Sequence, residues 1–318
     1  MKTKSFIMLI LICSLFFIIS SCQKKGSDTG IKDNQKLKVV TSLFPLYDFA
    51  KNVGREKAEV TLLLPPGAEP HSFEPTPLDI LTLNSGDVFI YTNKYMEPWV
   101  EKMLMGIDNK KVLIVDSSKN VVMLGEAERE DLQGHLENKE HAGMDPHIWL
   151  DFSNAVKMID NILAGFISKD PVNKDFYQNN ADRYKVQLNE LDKKFKDTLG
   201  NCKKNIFINS GHSVFGYLAK RYNLQHISAC GLSPDAEPTS KNLIKISKTL
   251  KQYGLNHIFY EELITPRVAE TIAKETGARL LMLHGAHNIS KQELNEGVTF
   301  ISLMNKNLEN LRTGLQCR

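Results

Sequence analysis

Four histidines occupy equivalent places along the chain, and they are the residues best suited to chemistry. His71 lies in a loop after the second apolar, β-type segment, and His147 follows the fourth. His212 comes directly after the first such segment of the second half, and His284 ends the last one. Imidazole nitrogens suit Zn²⁺, which binds them at about 2.0–2.1 Å in tetrahedral geometry. The spacing is too long for a local metal motif, so only the fold can bring the four together.

The elements that would position these histidines alternate between strands and helices. The strand segments are continuously apolar and β-branched, as in parallel sheets that are buried on both faces. Strands are predicted at 36–42, 59–66, 87–93, 111–118, 204–210, 224–231, 257–262 and 279–284. Helices are predicted at 45–54, 78–83, 95–105, 153–168, 173–199, 212–223, 240–254, 266–278 and 292–314. Ligands of open α/β sheets bind at the carboxyl edge of the strands, where all four histidines are expected.

The longest helical pattern, at 173–199, separates the two halves of the chain. Its apolar residues fall three or four apart and form one face, with polar residues around the rest. These residues are Tyr177, Ala181, Tyr184, Leu188, Leu191 and Phe195. We therefore predict an α/β fold with two lobes of mostly parallel sheet flanked by helices and joined by one long rigid linker helix. The predicted boundaries are 37–170 for the N-terminal lobe, 171–200 for the linker and 201–318 for the C-terminal lobe.

The N-terminus has the organisation of an export signal. Two lysines precede an apolar run at 6–19, which is too short to span a bilayer comfortably, and small residues follow. This segment also resembles the bacterial lipobox, which implies a lipoprotein signal peptide at 1–22 and a lipid on Cys22. Residues 23–36 are polar and are predicted to be a tether to the membrane. A plain secretory signal with an incidental cysteine is the alternative.

Composition narrows the possible partners. The formal net charge is +3 and no basic stripe appears, so we expect no nucleic-acid partner. We also expect a monomer.

Outside the signal segment only Cys202, Cys230 and Cys317 remain, so at most one disulfide can form and the sequence does not say which. The fold must therefore depend on a hydrophobic core.

Several motifs together resemble one family, the metal-binding proteins of bacterial zinc and manganese ABC importers (the ZnuA/TroA type). The motifs are GAEPHSFEPTP around His71, DPHIW around His147, SGHSVFGYLA around His212 and GLSPDAEPT at 231–239. The resemblance covers nearly the whole mature chain, including the long helix. It implies that the three motif histidines bind the metal in the interlobe cleft. Manganese-type members place a carboxylate where His212 stands, so a histidine there favours zinc.

The fourth ligand departs from the family pattern. Many relatives place an aspartate at the end of the last strand, where this chain has His284, with His287 three residues further on. The predicted ligands are His71, His147, His212 and His284. The alternatives are a three-histidine site with water, or a carboxylate from Glu237, Glu261 or Glu262. Each imidazole ligand needs a partner on its second nitrogen. The candidate partners are Asp145, Glu237 and Glu262.

The predicted function is capture of Zn²⁺ outside the cytoplasmic membrane and delivery to the permease of an ABC importer, without catalysis. The alternatives are the same module for Mn²⁺ or Fe²⁺, a zinc-dependent hydrolase and a surface adhesin. A hydrolase needs an open metal position and a general base, and a site of four imidazoles leaves no such position. The polar segment 125–143 is interpreted as a solvated loop, with a weak metal-collecting role as the alternative. The rigid linker predicts small lobe motions.

Overall fold

The computed structural model describes residues 35–125, 143–232, 238–263 and 266–318. These residues form two four-stranded sheets with orders β2-β1-β3-β4 and β6-β5-β7-β8, and all strand pairs are parallel. The first sheet contains β1 (Leu37–Thr41), β2 (Ala58–Leu62), β3 (Val88–Tyr91) and β4 (Leu113–Asp116). The second contains β5 (Ile206–Asn209), β6 (Gln225–Ser228), β7 (His257–Glu261) and β8 (Arg279–Leu283). The predicted fold class is therefore confirmed.

Ten α-helices flank these sheets within the described residues. In the first half they are α1 (Phe44–Gly54), α2 (Pro77–Ser85), α3 (Val100–Leu104) and α4 (Phe152–Lys169). The long helix α5 (Lys174–Leu199) follows. In the second half they are α6 (Gly216–Arg221), α7 (Ser240–Gln252), α8 (Arg267–Thr276), α9 (Lys291–Glu296) and α10 (Phe300–Gly314).

Three helices differ in extent from the sequence prediction. The helix predicted at 95–105 begins only at Val100, after Pro98, which lacks the backbone donor that a helix interior needs. The helix predicted at 212–223 begins at Gly216, because the backbone before it bonds outward, as from Ser213 N to Gly231 O (2.8 Å).

The closing helix predicted at 292–314 is two helices. Gly297 ends α9 with a left-handed φ of 71°, a conformation that glycine adopts without steric cost. Thr299 then starts α10 with a capping box to Ser302. A second capping box, from Ser290 to Glu293, starts α9.

The long helix α5 packs against both lobes. All six residues of its predicted apolar stripe are buried. The hydroxyl of Tyr184 donates to Asp48 of α1, in the first lobe. The ring of Phe195 lies 5.2 Å, between centroids, from both Phe152 of α4 and Tyr222 at the end of α6. The linker is therefore part of the hydrophobic core of the protein.

One continuous core contains α5 and the sheet faces on its side, in both lobes, whereas each opposite sheet face has a core of its own. Hydrophobic contacts thus tie the two lobes together over a large buried surface. A shared core of this kind resists relative motion, because close-packed side chains deform little.

Cys202 and Cys317 form a disulfide across 115 residues, and Cys230, the other described cysteine, is free and buried. This observation answers the pairing question that the sequence left open. The predicted signal peptide at 1–22, the lipid site Cys22, nearly all of the tether and residues 126–142 of the polar loop lie outside the described residues. Among the residues that are described, no helix has the length and apolar character needed to cross a membrane.

Candidate metal centre

Three of the predicted ligands come together where the carboxyl edges of the two sheets meet. His71 lies in the loop between β2 and α2, His147 directly precedes a 3₁₀ turn that leads into α4, and His212 lies between β5 and α6. One ring nitrogen from each lies within 4.8 Å of the others. The ring centroid of His147 lies 5.5 Å from that of His71 and 5.4 Å from that of His212.

The Nε2 atoms of these three imidazoles are the strongest chemical signal in the cluster. Each is buried, and none has a hydrogen-bond partner among the described residues. Buried polar atoms normally have partners, so three neighbouring exceptions require an explanation. A tetrahedral zinc ion with N–Zn distances of ~2.0–2.1 Å holds its nitrogen ligands about 3.4 Å apart. One ring nitrogen of each histidine lies within 4.8 Å of the others, so small shifts would bring such a set of nitrogens to this spacing.

His147 is oriented by Asp145, one of the partners predicted from the sequence. Asp145 Oδ1 accepts from the backbone N–H of His147 (3.0 Å) and lies 2.8 Å from its Nδ1. A carboxylate on Nδ1 keeps the proton on that nitrogen and leaves the Nε2 lone pair for a metal. Burial lowers the pKa of His147 more than Asp145 raises it, so the ring is neutral at physiological pH.

His212 has an equivalent partner in Glu261, the last residue of β7. Glu261 Oε2 lies 2.5 Å from His212 Nδ1, and Oε1 accepts from Asn209 Nδ2 (2.7 Å). Gly211 makes room for this contact, because a Cβ at that position would lie 1.8 Å from Glu261 Oε1. Burial lowers the pKa of His212, but the carboxylates around it, Glu261 first and then Glu69 and Glu262, together outweigh burial and the net shift is upward.

His71 is held differently. Its backbone N–H donates to Glu69 Oε1 (3.1 Å), and Trp99 Nε1 donates to the neighbouring carbonyl of Pro70 (2.8 Å). Among the described residues no carboxylate forms an ion pair with its ring. Burial, followed by the nearby His147 and His212, lowers the pKa of His71 to about 2. The ring is therefore neutral and ready to bind a cation.

His284, predicted as the fourth ligand, is not one of the three histidines that the structure groups together. Asn307 of α10 holds the His284 backbone on both sides, with bonds of 2.8 Å to its N–H and its carbonyl. His284 Nδ1 accepts from the backbone N–H of Ala286 (2.9 Å), so the neutral ring carries its proton on Nε2. That Nε2 faces Glu293 Oε1 at 3.5 Å.

His287 takes the place expected for His284. The chain turns at Ala286, which has a φ of 61°, and returns the His287 ring to within 5.8 Å of His212 and 6.1 Å of His147, between centroids. A Cβ on Gly285 would lie 2.6 Å from His287 Nδ1, so glycine is needed there. Burial, followed by the nearby imidazoles, lowers the pKa of His287 well below its usual value.

Of the two carboxylates that follow one another at the end of β7, Glu262 lies beside His287. Its Oε1 is 3.4 Å from His287 Nδ1 and 3.2 Å from His284 Nδ1, and its Oε2 accepts from the backbone N–H of Gly285 (2.7 Å). Glu262 thus lies against imidazole Nδ1 atoms, where a partner was predicted. Glu237, the third predicted partner, lies outside the described residues.

From the sequence, Glu261 was predicted only as a possible metal ligand, and its contact with His212 was not predicted. The strand order could have indicated this contact. Because β7 pairs with β5, Glu261 at the end of β7 lies beside the residues that follow β5. Trp149 and Phe215, which lie close in sequence to His147 and His212, are fully buried, and Trp149 Nε1 also donates to the carbonyl of Gly285 across the lobes (2.8 Å).

Fold and site together define a class of protein: two parallel-sheet lobes joined by one long helix, with a buried imidazole cluster for a metal ion between them. The family model described as zinc-uptake complex component A, periplasmic, matches residues 39–314. The chain belongs to this family, ZnuA, and its members act outside the cytoplasm as the binding components of zinc importers.

The relatives match this chain over nearly its whole length. The chain is 36% identical to the high-affinity zinc uptake system protein ZnuA of Bacillus subtilis (strain 168) over 311 residues, which is 96% of this chain and 97% of that protein. It is 33% identical to the zinc-binding lipoprotein AdcA of Streptococcus pneumoniae (strain ATCC BAA-255 / R6) over 307 residues, or 96% of this chain, but spans only 60% of AdcA. The Zn(II)-bound ZnuA-like domain of Streptococcus pneumoniae AdcA superimposes with a TM-score of 0.75 at 32% identity, covering 88% of this chain and 99% of that domain.

Proposed function

We propose that this protein captures Zn²⁺ outside the cytoplasmic membrane and delivers it to the permease of an ABC importer. The observation that carries the proposal is the group of three buried, unpartnered Nε2 atoms on His71, His147 and His212. Membership of the zinc-uptake family supports the same metal, as do the zinc-binding names of the relatives.

The donor set favours zinc over Mn²⁺ or Fe²⁺. Manganese prefers carboxylate, carbonyl and water oxygens, whereas imidazole suits zinc. The two carboxylates nearest the cluster, Asp145 and Glu261, face ring Nδ1 atoms. The three clustered side chains themselves offer imidazole nitrogen to a metal.

The ligands we propose are His71, His147 and His212, with His287 as the fourth. Asp145, Glu261 and Glu262 act as the acceptors on Nδ1 of His147, His212 and His287. Glu261 Oε1 accepts from Asn209 and Oε2 faces His212 Nδ1, so both oxygens of this carboxylate are directed at side chains of the site. This arrangement fits binding and release of an ion and does not support hydrolysis.

Capture needs little lobe movement. The shared core holds the two lobes together through α5, so binding consists mainly of small shifts of the histidine-bearing loops. The lobe boundaries that we propose are 37–170 and 201–318, with 171–200 as the linker. His71 and His147 are already neutral, whereas His212 must release a proton before it can bind the ion.

The protein is held at the outer face of the membrane through a lipid on Cys22, which becomes the first residue of the mature chain when the signal peptide is cleaved before it, with 23–36 as the tether. This part of the proposal is supported by the lipobox-like sequence and by the name of the lipoprotein AdcA. Substitution Cys22→Ser should release the protein from membranes into the soluble fraction. Retention of the Ser variant in the membrane fraction would contradict lipid anchoring at this residue. Light scattering should give the mass of a monomer.

The experiment that tests zinc binding is calorimetric titration of metal-free protein with Zn²⁺. We expect one equivalent to bind with sub-micromolar affinity, and the double variant His71→Ala, His212→Ala to lose that binding. His257→Ala is the matched control, because His257 starts β7 at the opposite edge of the sheet. Sub-micromolar binding that survives in the double variant, or no such binding in the wild type, would overturn the proposal.

A further inference from the structure

One phenol of the second lobe bonds to two segments of the first lobe beside His147. The hydroxyl of Tyr217, on α6, accepts from the backbone N–H of Leu124 (2.8 Å) and donates to the carbonyl of Asp145 (3.0 Å). We propose that Tyr217 is a positioning residue for metal binding, acting on His147 through Asp145. The inference rests on the proposed zinc-binding function and deepens it.

The route from Tyr217 to the metal is short. Leu124 and Asp145 also bond to each other, from Asp145 N to Leu124 O (2.8 Å), and Gly125 pairs with Met144 in an antiparallel bridge. The bond from Asp145 N to Leu124 O leaves the N–H of Leu124 and the carbonyl of Asp145, and the Tyr217 hydroxyl bonds to both of these groups. It thereby holds the Asp145 peptide at the point where the Asp145 side chain orients the His147 ring.

The same phenol ties this segment to His212. Tyr217 is five residues beyond His212, and the chain between them is held inside the second lobe. Asn209 Nδ2 donates to the carbonyl of His212 (2.9 Å), and Ser213 N donates to the carbonyl of Gly231 (2.8 Å). A hydroxyl on this segment that bonds to Asp145 therefore maintains the spacing of His147 and His212, whose ring centroids are 5.4 Å apart.

Tyr222 at the other end of α6 provides a matched control. Tyr222 is also buried, and its hydroxyl donates to Asp192 of α5 (2.8 Å). Asp192 keeps two bonds from Arg221 when that hydroxyl is removed. Tyr222→Phe and Tyr217→Phe therefore each delete one buried hydroxyl from the same short helix, but only Tyr217 bonds to the segment that carries His147.

The test compares zinc affinity, by competition with a fluorescent chelator, in the wild type, Tyr217→Phe and Tyr222→Phe. Partners of metal ligands typically contribute about 10- to 100-fold in affinity, and Tyr217 acts one bond further out, so we expect a loss of about tenfold. Tyr222→Phe should bind as the wild type does. The visible spectrum of bound Co²⁺ should change in Tyr217→Phe alone, because it reports the ligand geometry and not the stability of the fold.

A double-mutant cycle tests the route through Asp145. In an Asp145→Asn background, the loss caused by Tyr217→Phe should shrink, because both substitutions act on the orientation of His147. Hydrogen exchange of the wild type requires no variant: zinc should increase protection of the Leu124 amide, since coupling between two sites is reciprocal.

Three results would overturn the inference: wild-type affinity in Tyr217→Phe, equal losses in both Phe variants with unchanged Co²⁺ spectra, or Leu124 protection that zinc does not alter. Each leaves the proposed function intact when the wild type still binds one zinc. Absence of zinc binding by the wild type would instead contradict the proposed function itself, and this inference with it.

Discussion

His147 and His212 are held in one way and His71 in another. The first two each have a carboxylate within 2.8 Å of Nδ1 and lie next to fully buried aromatic residues of the shared core. His71 is partly exposed, and its loop is fixed mainly through backbone contacts. The comparison indicates a pre-formed pair of ligands and a third that adjusts when the metal arrives.

The His71 loop depends on the second lobe for much of its position. Asn288 Nδ2 donates to the carbonyls of Pro65 (2.8 Å) and Ala68 (2.7 Å), and Gly67 N donates to the carbonyl of Ile289 (2.9 Å). Asn288 follows His287 directly, so the loop that carries the proposed fourth ligand also supports the third. Movement of either loop would therefore change two ligands together.

Removal of a proposed ligand should have the largest effect on zinc affinity, and the loss should differ between His212 and His71. His212→Ala removes one ligand of the pre-formed pair. Loss of a ligand's hydrogen-bond partner costs about 10- to 100-fold in metal affinity, so loss of the ligand itself should weaken zinc binding by well over 100-fold. His71→Ala should weaken it less, because two oriented imidazoles remain. Calorimetric or chelator competition titrations give both constants. Equal losses, or a larger loss in His71→Ala, would contradict the distinction between the pre-formed pair and the third ligand.

Loss of the Nδ1 partners should have the next largest effect. Glu261→Gln and Asp145→Asn should each weaken zinc binding by about 10- to 100-fold, because the amide no longer enforces the tautomer that exposes Nε2. Glu293→Gln is the control, since Glu293 faces His284 and not the cluster. Chelator competition would show all three constants. An effect of Glu293→Gln as large as the other two would return His284 to the metal site.

Lowering the pH should weaken zinc binding through protonation of one histidine, His212. The carboxylates around His212, Glu261 first among them, raise its pKa against the effect of burial, so this ring keeps its proton to higher pH than an ordinary histidine and must lose it to bind zinc. The pKa values of His71, His147 and His287 are lowered, so those rings are neutral already. Affinity should therefore fall by about tenfold per pH unit, beginning above the usual histidine pKa of ~6.5.

Titrations between pH 8 and pH 5 would measure this slope. A fall of about a hundredfold per pH unit would mean that two or more histidines release protons together, contrary to these pKa directions. In Glu261→Gln the onset should move to lower pH, because the carboxylate that raises the His212 pKa is gone.

Substitution of the residue that supports the His71 loop should have the smallest effect. Asn288→Asp removes the two hydrogen bonds to Pro65 and Ala68 without changing the size of the side chain. The two bonds together are worth about 1–3 kcal/mol, and because they position the loop without touching the metal, only part of this energy should appear in zinc binding. We expect a loss of roughly three- to tenfold in affinity and faster release of zinc to a chelator. Stopped-flow chelation would measure the release rate.

Asn161→Asp is the matched control for this substitution. Asn161 Nδ2 also donates to two carbonyls, those of Ser117 and Lys119 (both 2.9 Å), but within the first lobe and away from the histidines. Equal changes in both Asp variants would mean that Asn288 contributes only to the stability of the fold.

Sequence reasoning was sufficient where the signal was local. The apolar periodicity of 173–199 located α5, and the β-branched segments located all eight strands. The rule that ligands bind at carboxyl edges then directed attention to His71, His147 and His212, which the structure does bring together. The break between α9 and α10 falls at Gly297, a residue type that favours the end of a helix, so this boundary also has a local signal.

The remaining features depend on contacts between distant parts of the chain. His284 turns away from the cluster because Asn307, 23 residues later, fixes its backbone, and His287 enters because Ala286 adopts a left-handed conformation. Neither fact has a signature in the order of residues alone. The Cys202–Cys317 disulfide is similar, since it joins positions 115 residues apart.

The most direct measurement is a crystal structure of the protein grown with Zn²⁺, with anomalous data collected at the zinc edge. The account predicts one strong peak about 2.0–2.1 Å from Nε2 of His71, His147 and His212, with His287 completing the coordination. A zinc peak bound to His284, or the absence of a peak among the three histidines, would contradict it.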